Sequence, residues 1–431
     1  MTAKDGSCGW SCCITSASFL VHVIVGGLCY CSGVLQLIFI EYFGRTRFET
    51  SWIISLMLGF SALAGIPATL LMYRCGYRLT VVLGGSLAAA GVAISVLCTD
   101  VRQLYLTVGI MCGGGFGLAL TPAIIVTKTY FEKRRTLASS IAVTGVSIGV
   151  FVFPMLLIFL EDSFALKGLF FTLAGICLVI CLCGVAMKTE KEPHKDSLKI
   201  FAGSLFCSTT FVALCVCNFL WTMGVSIIYT YLPDYAISTG LTIEEAAMLI
   251  AISGVTSFFS RVTFEVFNQS AKLDLANTFL CSICTTAILT GLFPELFKHK
   301  AGEIGYAIML GIHTGFWGTF VSVVGRGQVG DESLARGRGY LMVTMALGLF
   351  AGAPLAGWLC DRDDSFHIAF YLAGACLLLS SVILVVVHLV GFEYRRTVLW
   401  SDCESESSAG GKSSLSTRSS QATTNEQETL V

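Results

Sequence analysis

The chain has 431 residues, 55% of them apolar and only 13% charged, with a mean hydropathy of +0.78. Soluble domains carry about 25% charged residues, so too few charges remain to coat a water-facing surface of this size, and much of the exterior must face lipid. The net charge of −1 offers no bulk attraction to nucleic acid or other polyanions.

A bilayer core of about 30 Å takes about 20 apolar residues per helix. Helices are the natural spanning element because they satisfy their own backbone in lipid. The first such run is 11–38, which is longer than a signal-peptide core and lacks a cleavage context. Further runs follow at 50–73, 79–99, 103–127, 136–160 and 166–187. Arg74 and Arg78 lie between the second and third, and Lys133, Arg134 and Arg135 stand just before the fifth. These five basic residues have two readings: they set topology by snorkelling toward anionic head groups, or they gate a transport cycle through charge pairs formed in one state. Ala138, Ser139, Ala142, Gly145 and Gly149 give the fifth run a surface of small residues, suited to close helix approach.

The most polar internal loop, KTEKEPHKDSLK, covers 188–199. Six more apolar runs follow it, at 206–236, 244–266, 274–297, 303–325, 339–360 and 367–393. Residues 401–431 are rich in Ser, Thr, Glu and Gly and cannot bury enough surface to offset their ordering entropy. The expected organisation is a six-helix half at 1–187, a cytoplasmic loop at 188–205, a second six-helix half at 206–394 and a disordered cytoplasmic tail at 395–431. With the N-terminus inside, nineteen Lys and Arg fall on the cytoplasmic side and seven outside, so both termini are placed in the cytoplasm. A six-plus-six layout with a charged central loop is that of major facilitator transporters.

Particular motifs sharpen this. DGSCGW at 5–10 and YFEKRRTLASSIAVTGVSIG at 130–149 together resemble the two signatures of the monocarboxylate transporter family. The similarity runs on through TSWIISL (50–56), YRCGYRLTVVLGG (73–85), YLPDYAISTG (231–240) and GAPLAGWLCDRDDSFHIAFYLAGA (352–375). It covers both halves and leaves out the central loop and tail. Cys8 stands where the family usually has Trp. The resemblance implies an all-α membrane protein with the major facilitator fold, twelve transmembrane helices in two halves. It further implies a plasma-membrane secondary transporter that moves a monocarboxylate or related small organic solute by alternating access. A single-span accessory glycoprotein, needed by some relatives, is a candidate partner. The alternative is a non-transporting sensor or scaffold of the same fold.

Arg261 is the residue that stands out. It lies in LIAISGVTSFFSRVTFEVF, deep in an apolar run. A guanidinium there costs at least about 2.5 kcal/mol, so it faces the bundle interior, snorkels to an interface, or pairs with Glu265 one turn on. Its fork suits a carboxylate. The resemblance equates it with the family's helix-eight Arg, implicated in binding the substrate carboxylate. The same comparison marks departures. Ser257 occupies the place of an Asp that proton-coupled members carry one turn earlier. Ser32 lies near the place of a helix-one Lys, and Thr314 near that of a helix-ten Asp. With those groups gone, facilitated or weakly proton-coupled transport is expected.

His313, beside Thr314, is a candidate for solute or proton binding, or for an ordinary interhelical hydrogen bond; His22 is the other intramembrane His. Asn218, Trp221 and Tyr229, with Phe316 and Trp317, are candidates for lining the path or for packing. The final ETLV places Thr429 and Val431 in the pattern that PDZ scaffolds bind by strand addition. Other motifs lack their context. Gly145-Val146-Ser147-Ile148-Gly149 has no strand and turn around it. Gly325–Gly330 has no βαβ unit. Cys281 and Cys284 sit in an apolar run, and the sequon at Asn268 falls on the cytoplasmic side. No cofactor, metal or enzymatic activity is expected.

Overall fold

A computed structural model describes residues 8–131, 135–187, 201, 205, 208–269, 275–329 and 331–409. Among them no strand occurs; the chain is a bundle of helices. Helix α1 (Cys8–Tyr30) is separated by Cys31 from α2 (Ser32–Phe43), which ends on Gly44 in the left-handed conformation that glycine adopts without strain. Helix α3 (Arg47–Leu63) starts at Thr46, whose hydroxyl accepts the Glu49 N–H at 3.2 Å, an ordinary N-cap. Helix α4 (Gly65–Ser95) is broken at Gly76 (φ +79°), where the chain reverses. Helix α5 (Val101–Leu104), opened by an Asp100–Gln103 capping box, runs through a π-helical stretch (Tyr105–Cys112) into α6 (Gly113–Tyr130).

Helix α7 (Arg135–Ala186) is interrupted at Ala165 (φ 53°) and so makes two passes. The remaining helices are α8 (Thr209–Ser238), α9 (Ile243–Gln269), α10 (Leu275–Leu296), α11 (Lys300–Val329), α12 (Asp331–Asp363) and α13 (His367–Ala409). Eight of the described helices are long and apolar enough to cross a membrane. With the reversals at Gly76 and Ala165, and with α3, α10 and α11 completing the rest, the described residues make twelve passes through the bundle. Helix α1 begins at one end of the bundle, the near end; the opposite, far end holds residues 44–46, 96–100 and 239–242. Helix α13 continues to Ala409, past residue 394 where the sequence places the start of the tail.

Two apolar cores hold the structure together. One joins residues between Ile14 and Met187 together with Ala247 and Leu349, the other residues between Leu214 and Leu384 together with Val150. Around them large apolar side chains point outward, with Phe171 76% and Leu182 69% exposed. Such a surface is stable only against lipid, so the protein is a multi-pass membrane protein. The small-residue face of α7 does what its composition suggests. A Cβ on Gly145 or Gly149 would strike the backbone oxygens of Phe19 and Val23 on α1, so only glycine allows this approach. Among the described residues the two halves meet chiefly along the seams of α3 on α12, α7 on α9, and α2 on α8. At the α7–α9 seam a Cβ on Gly254 would lie 2.6 Å from the Phe151 nitrogen, so the halves touch backbone to backbone. The described cysteines are free thiols, Cys281 and Cys284 included.

Candidate functional site

Arg261 sits at the α7–α9 seam, about two-thirds of the way along α9 from the far end. Its Nε donates to the Ser257 hydroxyl at 3.5 Å, its Nη1 to the Val143 carbonyl on α7 at 3.4 Å, and its Nη2 to the Thr314 carbonyl on α11 at 3.5 Å. All three contacts are long, and all three acceptors are neutral. Among the described side chains no carboxylate pairs with it; the side chain of Glu265 lies outside them. A guanidinium held by weak neutral bonds keeps most of its charge available to an anion.

The surroundings are polar but uncharged. Ser257, one helical turn before Arg261, shares a hydrogen bond of 3.1 Å with Ser147 of α7, across the two halves. Tyr229 of α8 and Tyr30 of α1 meet edge to face at 4.9 Å, again across the halves. The Tyr229 hydroxyl reaches Thr314 Oγ1 at 3.3 Å and Ser253 Oγ at 3.5 Å. Both tyrosines, and His22 of α1, are within electrostatic reach of Arg261. His22 is held by Nδ1 against the Ser18 carbonyl at 2.7 Å, and its buried Nε2 has no partner. The structure therefore brings Arg261, Ser257, Thr314, Tyr229 and His22 together, and adds Tyr30 and Ser147. Among the described residues no His, Cys, Asp and Glu group could hold a metal ion.

Other predicted positions lie elsewhere. Asn218 donates to the Leu341 carbonyl at 2.9 Å and to Thr344 Oγ1 at 3.1 Å, which ties α8 to α12. His313 accepts the Trp221 indole N–H on Nε2 at 2.8 Å, so in the neutral ring Nδ1 carries the proton toward Ser282 Oγ at 3.2 Å. Its ring thus links α8, α10 and α11 rather than meeting Arg261. Ser32 is buried at the α1–α2 break with its hydroxyl unpartnered. Arg74 and Arg78 are exposed at the near end. Lys133, Arg134, Thr429 and Val431, and the side chains of Arg135, Phe316 and Trp317, lie outside the described residues. A shallow recess of about 340 Å³, lined by Thr256, Phe259, Ser260, Thr263 and Ile312, opens beside the lipid-exposed Phe259 and does not include Arg261.

A second polar group closes the far end, and sequence reasoning missed it. Arg47, first residue of α3, donates to Asp234 of α8 through Nε at 2.6 Å and Nη2 at 3.4 Å. Its guanidinium lies 3.9 Å from Asp361 of α12 and 4.8 Å from the centre of the Phe366 ring. Asp361 also accepts the backbone N–H groups of Arg47 at 3.3 Å and Phe48 at 2.8 Å, so an acid from one half caps a helix of the other. Asp234 is 11% exposed and Arg47 31%, which places this tie well above an isolated surface pair in strength. Arg47 reads in the sequence as one of the outer-loop charges. The signal that could have flagged it is the pair of acids, Asp234 and Asp361, each set at the end of an apolar run.

Residues 18–325 match the Major Facilitator Superfamily model. Monocarboxylate transporter 12 of Mus musculus is 27% identical to this chain, the match covering 90% of it and 86% of that protein. Monocarboxylate transporter 3 of Rattus norvegicus is 27% identical, covering 89% and 80%. Among solved structures, a point mutant of the nucleoside transporter NupG superposes with a TM-score of 0.66 at 13% identity, covering 89% of this chain and 99% of that one. A point mutant of the E. coli fucose:proton symporter FucP gives 0.61 at 15%, covering 88% and 98%.

Proposed function

This chain belongs to the major facilitator superfamily, as a divergent relative of the monocarboxylate transporters, and from that premise we propose that it carries a small carboxylate-bearing solute across the plasma membrane by alternating access. That it is a membrane transporter and not an enzyme follows from the family. The substrate class rests on one observation: a guanidinium between the halves whose three hydrogen-bond acceptors are all neutral. A carboxylate entering there replaces three long bonds with a bidentate charge-assisted pair. Ser257, Thr314, Tyr229 and Tyr30 supply neutral donors around it.

The near end faces the cytoplasm in this reading, because the basic residues crowd the loops on that side. The Arg47–Asp234–Asp361 tie then seals the extracellular mouth. Alternating access needs such a bond to form in one state and break in the other.

The ionisable groups expected of strict proton coupling are replaced by Ser257, Ser32 and Thr314, whose hydroxyls do not titrate near neutral pH. The expected result is saturable uptake of one or more carboxylates into proteoliposomes holding only the purified chain. The initial rate should change less than about 3-fold between pH 6 and pH 8, since an obligatory proton site titrating in that interval would change it about 10-fold or more. A screen of carboxylates, amino acids, creatine-like and carnitine-like solutes at the two pH values measures this. A fixed one-to-one proton flux with solute would refute the coupling assignment, and absence of uptake for every acid would refute the substrate class.

A further inference from the structure

Most buried hydroxyls in this bundle are satisfied within their own helix. Thr69 donates to the Gly65 carbonyl at 2.8 Å, Thr222 to Asn218 at 2.8 Å and Thr290 to Thr286 at 2.7 Å. One region breaks the pattern. The hydroxyls of Ser32, Ser55, Ser226 and Thr230 are buried without a hydrogen-bond partner, and the Gln36 amide is buried with them, its one recorded polar contact the Tyr231 phenol. None of these residues is more than 3% exposed.

They come from both halves of the protein, on helices that pack along the α2–α8 and α3–α12 seams. Ser32 and Gln36 are on α2 and Ser55 on α3; Ser226 and Thr230 are on α8. At Gly33, between the first two, a Cβ would lie 2.7 Å from the Thr230 carbonyl oxygen and 2.8 Å from Pro233 Cδ, so α2 rests directly on α8. Gln36 and Ser51 stand beside the Tyr231 phenol, which itself donates to the Ala353 carbonyl of α12 at 2.8 Å. Ser226 faces Gly352 of the same helix. On α8, Asp234 of the far-end tie is one turn beyond Thr230, and Tyr229 of the Arg261 site immediately precedes it. The cluster therefore occupies the path between the seal and the guanidinium.

Leaving four hydroxyls dry and unpaired, and an amide with at most one partner, costs more than apolar residues of the same shape would. Packing alone therefore gives no reason for them. They gain partners only when α2 and α3 part from α8 and α12, which is the movement that breaking the Arg47 tie releases. We propose that Gln36, Ser32, Ser55, Ser226 and Thr230 form an outer solute subsite that takes an uncharged hydrogen-bonding group when the seam opens. The set contains donors and acceptors but no charge, so it suits a hydroxyl or carboxamide end and disfavours both an alkyl tail and a second ion. This rests on the carboxylate reading of Arg261 and extends it: the solute has an anionic end and a neutral polar end.

The test uses three probes on the purified full-length chain: succinamate, its near-isostere 4-methylpentanoate, and the neutral diamide succinamide. Dissociation constants are read from thermal-unfolding midpoints against probe concentration, with initial uptake of the two acids alongside. Succinamate should half-saturate at about 10-fold lower concentration than 4-methylpentanoate. Gln36→Leu and, separately, Thr230→Val should bring the two acids within about 2-fold while leaving 4-methylpentanoate unchanged. Thr230→Val removes an unpartnered hydroxyl and Gln36→Leu an amide whose one recorded contact is the Tyr231 phenol, which keeps its bond to the Ala353 carbonyl, so both should fold. Arg261→Lys should weaken the two acids equally. The subsite is overturned if the wild-type preference persists in both variants, if 4-methylpentanoate binds as well as succinamate, or if none of the probes binds. If succinamide binds in a Gln36-dependent way while neither acid binds, the subsite stands and the carboxylate reading falls.

Discussion

Arg261→Lys is expected to reduce carboxylate uptake by about 10- to 100-fold in kcat/KM, with the protein still folded and in the membrane. Lysine keeps the charge, so long-range attraction survives. What disappears is the planar fork that meets two carboxylate oxygens at once. Because all three acceptors around Arg261 are neutral, the change breaks no ion pair among the described residues, and a loss of uptake reports on the solute rather than on the fold. The measurement is initial-rate uptake of the best acid from the screen, normalised to surface-labelled protein. Unchanged kinetics would remove Arg261 from the site.

Arg47→Glu is expected to prise open the far end. It removes the bond to Asp234 and sets a third acid beside Asp234 and Asp361. Losing the tie and adding like-charge repulsion shifts the closed–open balance by about 2–4 kcal/mol, roughly 30- to 1,000-fold in the equilibrium constant. Spin labels on the far ends of α3 and α12 should then report a dominant longer distance, and uptake should fall because the far end no longer closes. Exchanging the charges, with Arg47→Glu and Asp234→Arg together, should restore much of the short distance. An Arg47→Glu protein with the wild-type distance distribution would show that the tie does not hold the seam.

Both variants bear on how much the sequence discloses. Twelve passes are legible because lipid forces long apolar helices, and hydropathy is additive along a chain. The Gly76 reversal falls between predicted runs, flanked by Arg74 and Arg78. The Ala165 reversal falls in the polar stretch EDSFALK, again between runs. Arg261 is legible for the same reason in reverse, since a lone cation in an apolar run demands an explanation. Direction is not legible. Asn218 and Arg261 give the same one-dimensional signal, a polar residue in an apolar helix. Yet Asn218 turns to α12 and is consumed by Leu341 and Thr344, while Arg261 turns to the seam. His313 likewise sits next to Thr314 in sequence but faces Trp221 and Ser282.

The far-end tie is hidden for a different reason. Arg47, Asp234 and Asp361 each stand at a helix end, where a charge needs no explanation because water or head groups can solvate it. Only the packing of α3 against α8 and α12 turns three unremarkable charges into one lock. The unpartnered hydroxyls of Ser32, Ser55, Ser226 and Thr230 are hidden too, since serines and threonines in membrane helices usually bond back to their own backbone.

The most direct test is a structure of the full chain in a lipid bilayer disc, determined with a saturating transported carboxylate. Anion density should lie about 2.7–2.9 Å from two nitrogens of Arg261, enclosed by Ser257, Thr314, Tyr229 and Tyr30. A guanidinium drawn out to the head-group boundary, with the solute bound elsewhere, would contradict the account.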